Sequence, residues 1–496
     1  MEITVNVILR FIAYGILVFY IGCLLMIFFY SLTQLNMLRY FLKYIKQKKD
    51  EPSIPRKLPK VTIQLPIYNE VHVIKRLLKC ITAMEYPKDL LQIQVLEDST
   101  DECLEISKAL VLKYKKQGIP IEIITRKNRE GFKAGALKNG LTTANGEYIA
   151  IFDSDFLPKA NWILKAIPHF NDPKVGVVQT RWGHLNRNYS ILTKVQSFAL
   201  DAHFTLEQVG RNQQQHFINF NGTAGIWRKS CIIDAGNWEG DTLTEDLDLS
   251  YRAQFKNWKF KYLLDVVTPA ELPITINAIR SQQFRWNKGG AENFRKHIGR
   301  IMTSKDHSVW IKINSFFHLI NSSMFLNIIV ISFLSVPLLF IKKTYPELSL
   351  AYNISTLFII STIIFFVCYW FVYKYVFGGG ISSFYKYIRR FVSFYTLAMG
   401  FSIHNSIAVL EGYIGKKSPF VRTPKFDQSD LKNNQYNIKR ISVFSFFEIA
   451  MSIYFLFGMY VSIIIIPELD IGLFLFHLFL FLGFSGVSYH SLKQSI

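Results

Sequence analysis

The sequence predicts an α/β domain on a mostly parallel sheet, inserted between the transmembrane helices of an α-helical membrane region. Three observations carry this. Residues 61–272 alternate short apolar runs with longer helical stretches, the signature of strands joined by crossover helices. Five runs elsewhere are uncharged and long enough to span a bilayer. The segments flanking those runs are rich in Lys and Arg, as expected of the cytoplasmic side.

The order of the chain gives four parts. Residues 1–42 hold the first apolar run, which carries no charge over 11–38; it is longer than a signal-peptide core and reads as a retained transmembrane helix. Residues 43–60 form a basic linker broken by Pro52, Pro55 and Pro59, expected in the cytoplasm. Residues 61–310 are the α/β domain, with strands expected at 61–65, 93–96, 121–124, 148–152 and 175–179. It closes on an interface helix whose Lys288, Arg295, Lys296 and Arg300 read as a basic face lying on the membrane. Residues 311–496 return to the membrane, with spans expected at 313–341, 348–373, 449–467 and 471–492.

Residues 391–413 look like a further span, but both flanks are basic, and Arg389, Ser393, Thr396, Gly400, His404 and Glu411 share one helical stripe. An interfacial helix fits both facts. Five spans then place the α/β domain and the C-terminus in the cytoplasm, making a multi-pass integral membrane protein.

Composition supports this. Half of the 496 residues are hydrophobic and 43 are Phe. The net charge of +21 would suit nucleic acid, but beside such apolar runs the partner is membrane lipid, and no nucleic-acid partner is expected. The five cysteines show no paired spacing, which argues against a disulfide framework or a zinc site.

Chemistry-bearing residues cluster where strands end. The first strand runs into Gln64-Leu65-Pro66-Ile67-Tyr68-Asn69-Glu70, which reads as a strand and turn or as a nucleotide cradle. The second runs into Glu97-Asp98-Ser99-Thr100-Asp101; Asp101 suits a helix cap, and Asp98 is placed to meet a base or ribose. Lys133, at the start of a small-residue helix, can reach a diphosphate. The fourth strand leads directly into Asp153-Ser154-Asp155, two carboxylates one residue apart that can bind Mg²⁺ or Mn²⁺. Asp-x-Asp alone is a common surface pattern; its position after a buried strand is what singles it out.

The densest stretch is 219–286. It holds Asn219-Phe220-Asn221-Gly222-Thr223, then Thr244-Glu245-Asp246, then Gln282-Gln283-Phe284-Arg285-Trp286. Asp246 suits a general base, Arg285 can hold phosphate oxygens with a bidentate fork, and Trp286 offers a flat apolar surface. The bland alternatives are a helix capped by Thr244 with acids in its first turn, and an amphipathic helix rimmed by Arg and Trp.

In this order, the segments resemble membrane-integrated family 2 inverting glycosyltransferases, the branch of cellulose, chitin and hyaluronan synthases, and within it the plant cellulose synthase-like A and C groups, which make mannan, glucomannan and the xyloglucan backbone. The likeness covers about 61–296, including Gln94 to Asp101, Lys133-Ala134-Gly135-Ala136-Leu137 and Phe220 to Arg228. It implies a nucleotide-sugar-binding domain of the GT-A type. Asp98, Lys133, Asp153, Asp155 and Arg285 would contact the donor, with Mg²⁺ or Mn²⁺ on Asp153 and Asp155. Asp246 would be the base, and Glu245, Gln282, Trp286, Gly222 and Thr223 would face the acceptor.

Further on, Ser418-Pro419-Phe420-Val421-Arg422-Thr423-Pro424-Lys425 resembles in part the Phe-x-Val-Thr-x-Lys gating loop of cellulose synthases. The expectation is transfer of a hexose from UDP-glucose or GDP-mannose to a growing β-linked polysaccharide at the cytoplasmic face, possible passage of the product through the helices included. The rivals are a single-addition lipid glycosyltransferase of the ceramide glucosyltransferase kind, and a channel or receptor with an inactive sugar-binding domain. Partners are then a nucleotide sugar, a glycan or lipid acceptor, and membrane lipids; accessory subunits are not legible. Asn314, His318, Asn321 and Ser322 share a helical face in the second span and either line a glycan path or hydrogen-bond between helices.

Overall fold

The computed structural model describes residues 2–47, 52–348, 356–418, 443–465 and 470–493. Helix α1 (Glu2–Lys46) leads into a seven-stranded sheet: β1 (Val61–Ile67), β2 (Leu91–Glu97), β3 (Ile121–Thr125), β4 (Tyr148–Ile151), β5 (Val175–His184), β6 (Gly225–Arg228) and β7 (Lys259–Ala270), in the order β3-β2-β1-β4-β6-β5-β7. Pairing is parallel except at β6, which runs antiparallel to both β4 and β5. The helices of the domain are α2 (Ile74–Thr82), α3 (Cys103–Lys116), α4 (Phe132–Leu141), α5 (Trp162–Ala166), α6 (Ile191–Ala202), α7 (Gln208–Gln213), α8 (Lys229–Asp234), α9 (Glu245–Phe255) and α10 (Ile276–Thr303).

Strand alternation sorts the core into two layers. Val61, Ile63, Leu65 and Ile67 of β1 pack with Leu77 and Ile81 of α2 on one face. On the other, Leu137 of α4, Trp227, Trp238 and Leu249 pack in one cluster with Met37, Leu38 and Phe41 of α1. The first helix is therefore part of the α/β domain's core as well as one of the long apolar helices. A Cβ on Gly210 of α7 would lie 2.6 Å from the Met37 side chain, so this contact requires glycine.

The five expected strands all form, and two more join them. Local signals are weakest for these two: β6 directly follows the Gly222 turn, and β7 alternates exposed Lys259 and Lys261 with buried Phe260 and Tyr262, as suits a sheet edge.

Beyond the domain come α11 (Val309–Leu319), α12 (Met324–Thr344), α13 (Thr356–Phe377), α14 (Ile381–Gly400), α15 (Ser402–Ile414), α16 (Val443–Tyr460) and α17 (Ile471–Lys493). Five of the described helical stretches are long and apolar enough to cross a membrane: 6–46, 321–344, 358–377, 443–465 and 471–493.

Three expectations need correction. The span expected at 313–341 is two helices, α11 and α12, joined by the turn Asn321–Ser323. The polar residues at this joint have protein partners: Tyr30 donates to Asn321 at 2.6 Å, and Tyr251 bonds His318 at 2.8 Å. Asn321 and His318 thus bond other helices, while Asn314 donates to the Trp310 carbonyl of its own helix at 2.9 Å. The stretch 391–413 is likewise two helices, parted at Phe401 where Gly400 abuts the Gly483 carbonyl of α17.

Third, the four cations expected to form a free basic face on α10 all have partners within the protein, although Arg295 and Arg300 stay exposed. Lys288 is fully buried against Glu411 at 3.1 Å, Lys296 is pinned by three carboxylates, Arg295 donates to the Tyr413 carbonyl at 3.3 Å, and Arg300 lies over Phe255. Each cation found a partner that is distant in sequence. Of the partial gating-loop likeness, only Ser418 lies within the described residues; it bonds Lys288 and Glu411.

Candidate active site

A cleft opens along the C-terminal ends of the strands. At one end stand Tyr68, Asp98 and Arg129, in the middle Lys133, Asp153, Gly222 and Asp246, and at the other end Trp182, His184 and Leu200. This sequence follows the strand order from β2 through β1 and β4 to β5. Helix α10 lays Gln282, Arg285 and Trp286 along the same cleft.

The centre is built by backbone geometry. Gly222 takes φ 79°, a left-handed value that favours glycine, and a Cβ there would stand 3.0 Å from Asp246 Oδ2 and 3.4 Å from Lys133 Nζ. Lys133 donates to Asp153 Oδ1 at 2.6 Å and to the Gly222 carbonyl at 2.9 Å. The first residues of α4 are bent to allow this: Gly131 and Phe132 have φ 68° and 47°, and Arg126 donates to the Phe132 carbonyl at 2.6 Å. Thr223, expected to face the acceptor, is fully buried and lies outside the cleft lining. Its hydroxyl instead accepts from the Asp153 N–H at 2.8 Å, holding the Asp-x-Asp turn from below.

Asp98 reaches the cleft with both oxygens gripped by Arg126, at 2.8 and 2.5 Å. Arg129 lies 3.2 Å from the centre of the Tyr68 ring, so this end of the cleft is a stacked cation and ring. Arg129 and Trp182 were not singled out from sequence, and Tyr68 only as part of the candidate cradle after the first strand. Their signal was there: each sits at or just beyond a strand end on the cleft side.

Asp246 opens α9, and its Oδ1 accepts from the Leu247 N–H at 2.8 Å. It is half-buried and lines the cleft. Burial, then the neighbouring Glu245, push its carboxyl up to about 7, and Lys133 works against that rise. Burial likewise raises Glu245, against Lys133. Burial opposes the Lys133 charge, but Asp153, Glu245 and Asp246 together raise its pKa. Arg285 is lowered by burial against the pull of Glu245 and Asp153. Thr244 does not cap α9 with its side chain, as the bland alternative had it; its hydroxyl accepts from Asn293 of α10 at 2.9 Å.

The charges of the cleft test its fit to a divalent cation. Asp98 is neutralised by Arg126, and Glu271 by Arg76 at 3.0 Å. Glu70, Asp153, Asp155, Glu245 and Asp246 then face Arg129, Lys133 and Arg285. A diphosphate entering this acid-rich cleft needs added positive charge, which a cation on Asp153 and Asp155 would bring. Another acidic group, Glu239, Asp241 and Asp248, has ligand-like spacing, but Lys296 sits in it with contacts of 2.8, 2.8 and 2.9 Å. An ammonium already fills that place.

A mostly parallel seven-stranded sheet with a strand-end acidic cleft defines a GT-A-like domain. Residues 59–289 match the family described as "Glycosyltransferase like family 2". It is 42% identical over 277 residues to "Probable glucomannan 4-beta-mannosyltransferase 4" of Oryza sativa subsp. japonica, covering 55% of this chain and 50% of that protein. It is 40% identical over 261 residues to "Glucomannan 4-beta-mannosyltransferase 9" of Arabidopsis thaliana, covering 52% and 49%. The chain spans about half the length of the curated relatives it matches. Among solved structures, "Mannosyltransferase PcManGT from Pyrobaculum calidifontis in complex with GDP-Man and Mn2+" shares the fold, with a TM-score of 0.55 at 18% identity over 81% of this chain and 100% of that one.

Proposed function

We propose that this protein is an inverting hexosyltransferase that moves mannose from a nucleotide-activated donor to the end of a β-linked glycan. The observation that carries the reading is the convergence of Asp246, Lys133 and Asp153 on the Gly222 turn. It supports the reading because a carboxylate with a raised pKa stands beside an ammonium suited to a departing diphosphate. The names of the plant relatives favour a mannosyl donor and a β-linked product.

In this reading Asp246 takes the acceptor hydroxyl's proton as the oxygen attacks the anomeric carbon, and the nucleoside diphosphate leaves from the opposite face. One displacement inverts the α-linked donor. Lys133 and Arg285 offset the charge that develops on the leaving group. Asp153 and Asp155 would hold Mg²⁺ or Mn²⁺, which supplies further charge neutralisation at the diphosphate. Trp286 offers a sugar its flat face. Lys43 and Lys46 end α1 on the domain side, which by the positive-inside rule supports a cytoplasmic domain in a multi-pass protein.

The test offers purified membranes labelled GDP-mannose and UDP-glucose, with Mg²⁺, Mn²⁺ or chelator. The expected product is a mannose-containing polymer cut by a β-mannanase and lost in chelator. A lipid-linked monosaccharide as the sole product would replace the polymer reading with the lipid rival, and chelator-indifferent transfer would remove the cation from Asp153 and Asp155.

A further inference from the structure

Asn221 lines the cleft one residue before Gly222, on the side of Asp153 away from Asp98 and Arg129. Its carboxamide is held from behind. Gln208 Nε2 donates to its Oδ1 at 2.8 Å, and its Nδ2 lies 3.1 Å from His203 Nε2. Across the imidazole, His203 Nδ1 lies 3.0 Å from Glu207 Oε2.

Glu207 is the fixed point of this relay. Burial opposes its charge, but Arg211 at 3.2 Å and His203 hold its carboxyl well below the usual range. Gln34 of α1 donates to its other oxygen at 3.0 Å. An anionic Glu207 accepts hydrogen bonds and donates none, so His203 carries its proton on Nδ1. In the neutral imidazole Nε2 then presents a lone pair, which receives an N–H of Asn221. The amide can therefore stand only one way round, with nitrogen toward His203 and oxygen toward Gln208.

Local structure serves the same end. His203–Glu207 is a single π-helical turn between α6 and α7, the kind of interruption that re-aims side chains within a helix. The chain of bonds continues into the membrane helices: Gln34 also donates to the Tyr30 hydroxyl at 3.0 Å, and Tyr30 donates to Asn321 at 2.6 Å.

The relay uses one N–H and one oxygen lone pair of the Asn221 amide, leaving one donor and one acceptor toward the cleft. Sugar hydroxyls donate and accept, so this pair suits a sugar. Its position puts that sugar away from Tyr68, Asp98 and Arg129, on the side the transferase reading gives to the acceptor. We infer that Asn221 binds the acceptor sugar through its carboxamide, and that His203 and Glu207 are positioning residues that orient it. The inference rests on the transferase reading above.

The test uses the full chain in detergent with GDP-mannose and a short β-linked oligosaccharide acceptor. Asn221→Ala raises the acceptor KM about tenfold, while the donor KM and the Kd for GDP stay at their wild-type values. His203→Phe keeps the ring volume but loses both nitrogens, and it follows Asn221→Ala in the acceptor KM. Glu207→Gln, which still offers His203 an acceptor, stays closer to wild type than Glu207→Leu. Wild-type acceptor KM in Asn221→Ala would overturn the inference even if the histidine variant fails to fold. So would an equal rise in donor KM, since that marks a general loss of structure. A wild-type protein that transfers no sugar at all overturns the transferase reading, and this inference with it.

Discussion

Asp246 and Asp248 lie two residues apart in the first turn of one helix and meet opposite electrostatic fates. Asp248 is fully buried between Lys296 at 2.9 Å, His297 at 2.8 Å and Arg252 at 2.8 Å. Burial alone would raise its pKa, but His297 and Arg252 hold it well below the usual carboxylate range. Asp246 faces the cleft with Glu245 beside it and is pushed up to about 7. The difference teaches that partners, more than depth, decide what a buried carboxylate does. One that is surrounded by cations is structural; one left beside another acid is poised to move a proton.

The largest break in this comparison comes from exchanging each acid for its amide. Asp246→Asn should lower transfer by a factor of about 10² to 10⁴ while the nucleotide still binds, checked by steady-state rates and GDP titration. Asp248→Asn should instead cost stability, about 3–5 kcal/mol, because it strips the partner from buried cations; thermal unfolding in detergent measures it.

The sign of stability with pH sharpens the contrast. The folded pKa of Asp246, about 7, lies above its ordinary 3.8, so its penalty on folding grows as pH rises from 3.8 and is complete above 7. Asp246→Asn should then raise Tm by a few degrees at pH 8 and leave it unchanged at pH 3.5. Asp248, with its pKa lowered, stabilises the fold above 3.8 and loses that contribution as pH falls.

A smaller effect concerns the rate. A base titrating near 7 gives transfer that rises with pH through that value. Glu245 is the second cause of the shift after burial, so Glu245→Gln should move the inflection of the pH–rate profile to lower pH. An inflection that stays in place would assign the shift to burial alone.

The sequence by itself determined the strands that end in Asp98 and Asp153, the five apolar helices, and the acids and Arg-Trp pair of the cleft. These signals are local: apolar runs and their period fix an element, and a carboxylate just past a buried strand must come out at the sheet's C-terminal edge. Ten of the expected residues, from Asp98 to Trp286, do meet in one cleft. Only the tertiary structure decided which charges are paired. Lys288 read as a surface cation because its partner Glu411 lies 123 positions away, and Thr223 read as acceptor-facing because nothing nearby shows the Asp153 N–H above it. His203 gave no signal at all, since its meaning depends on a π turn and on Asn221, 18 positions on. Composition can place a charge or an imidazole on a helix; only packing brings up the group that neutralises it, and that group sets what the residue can do.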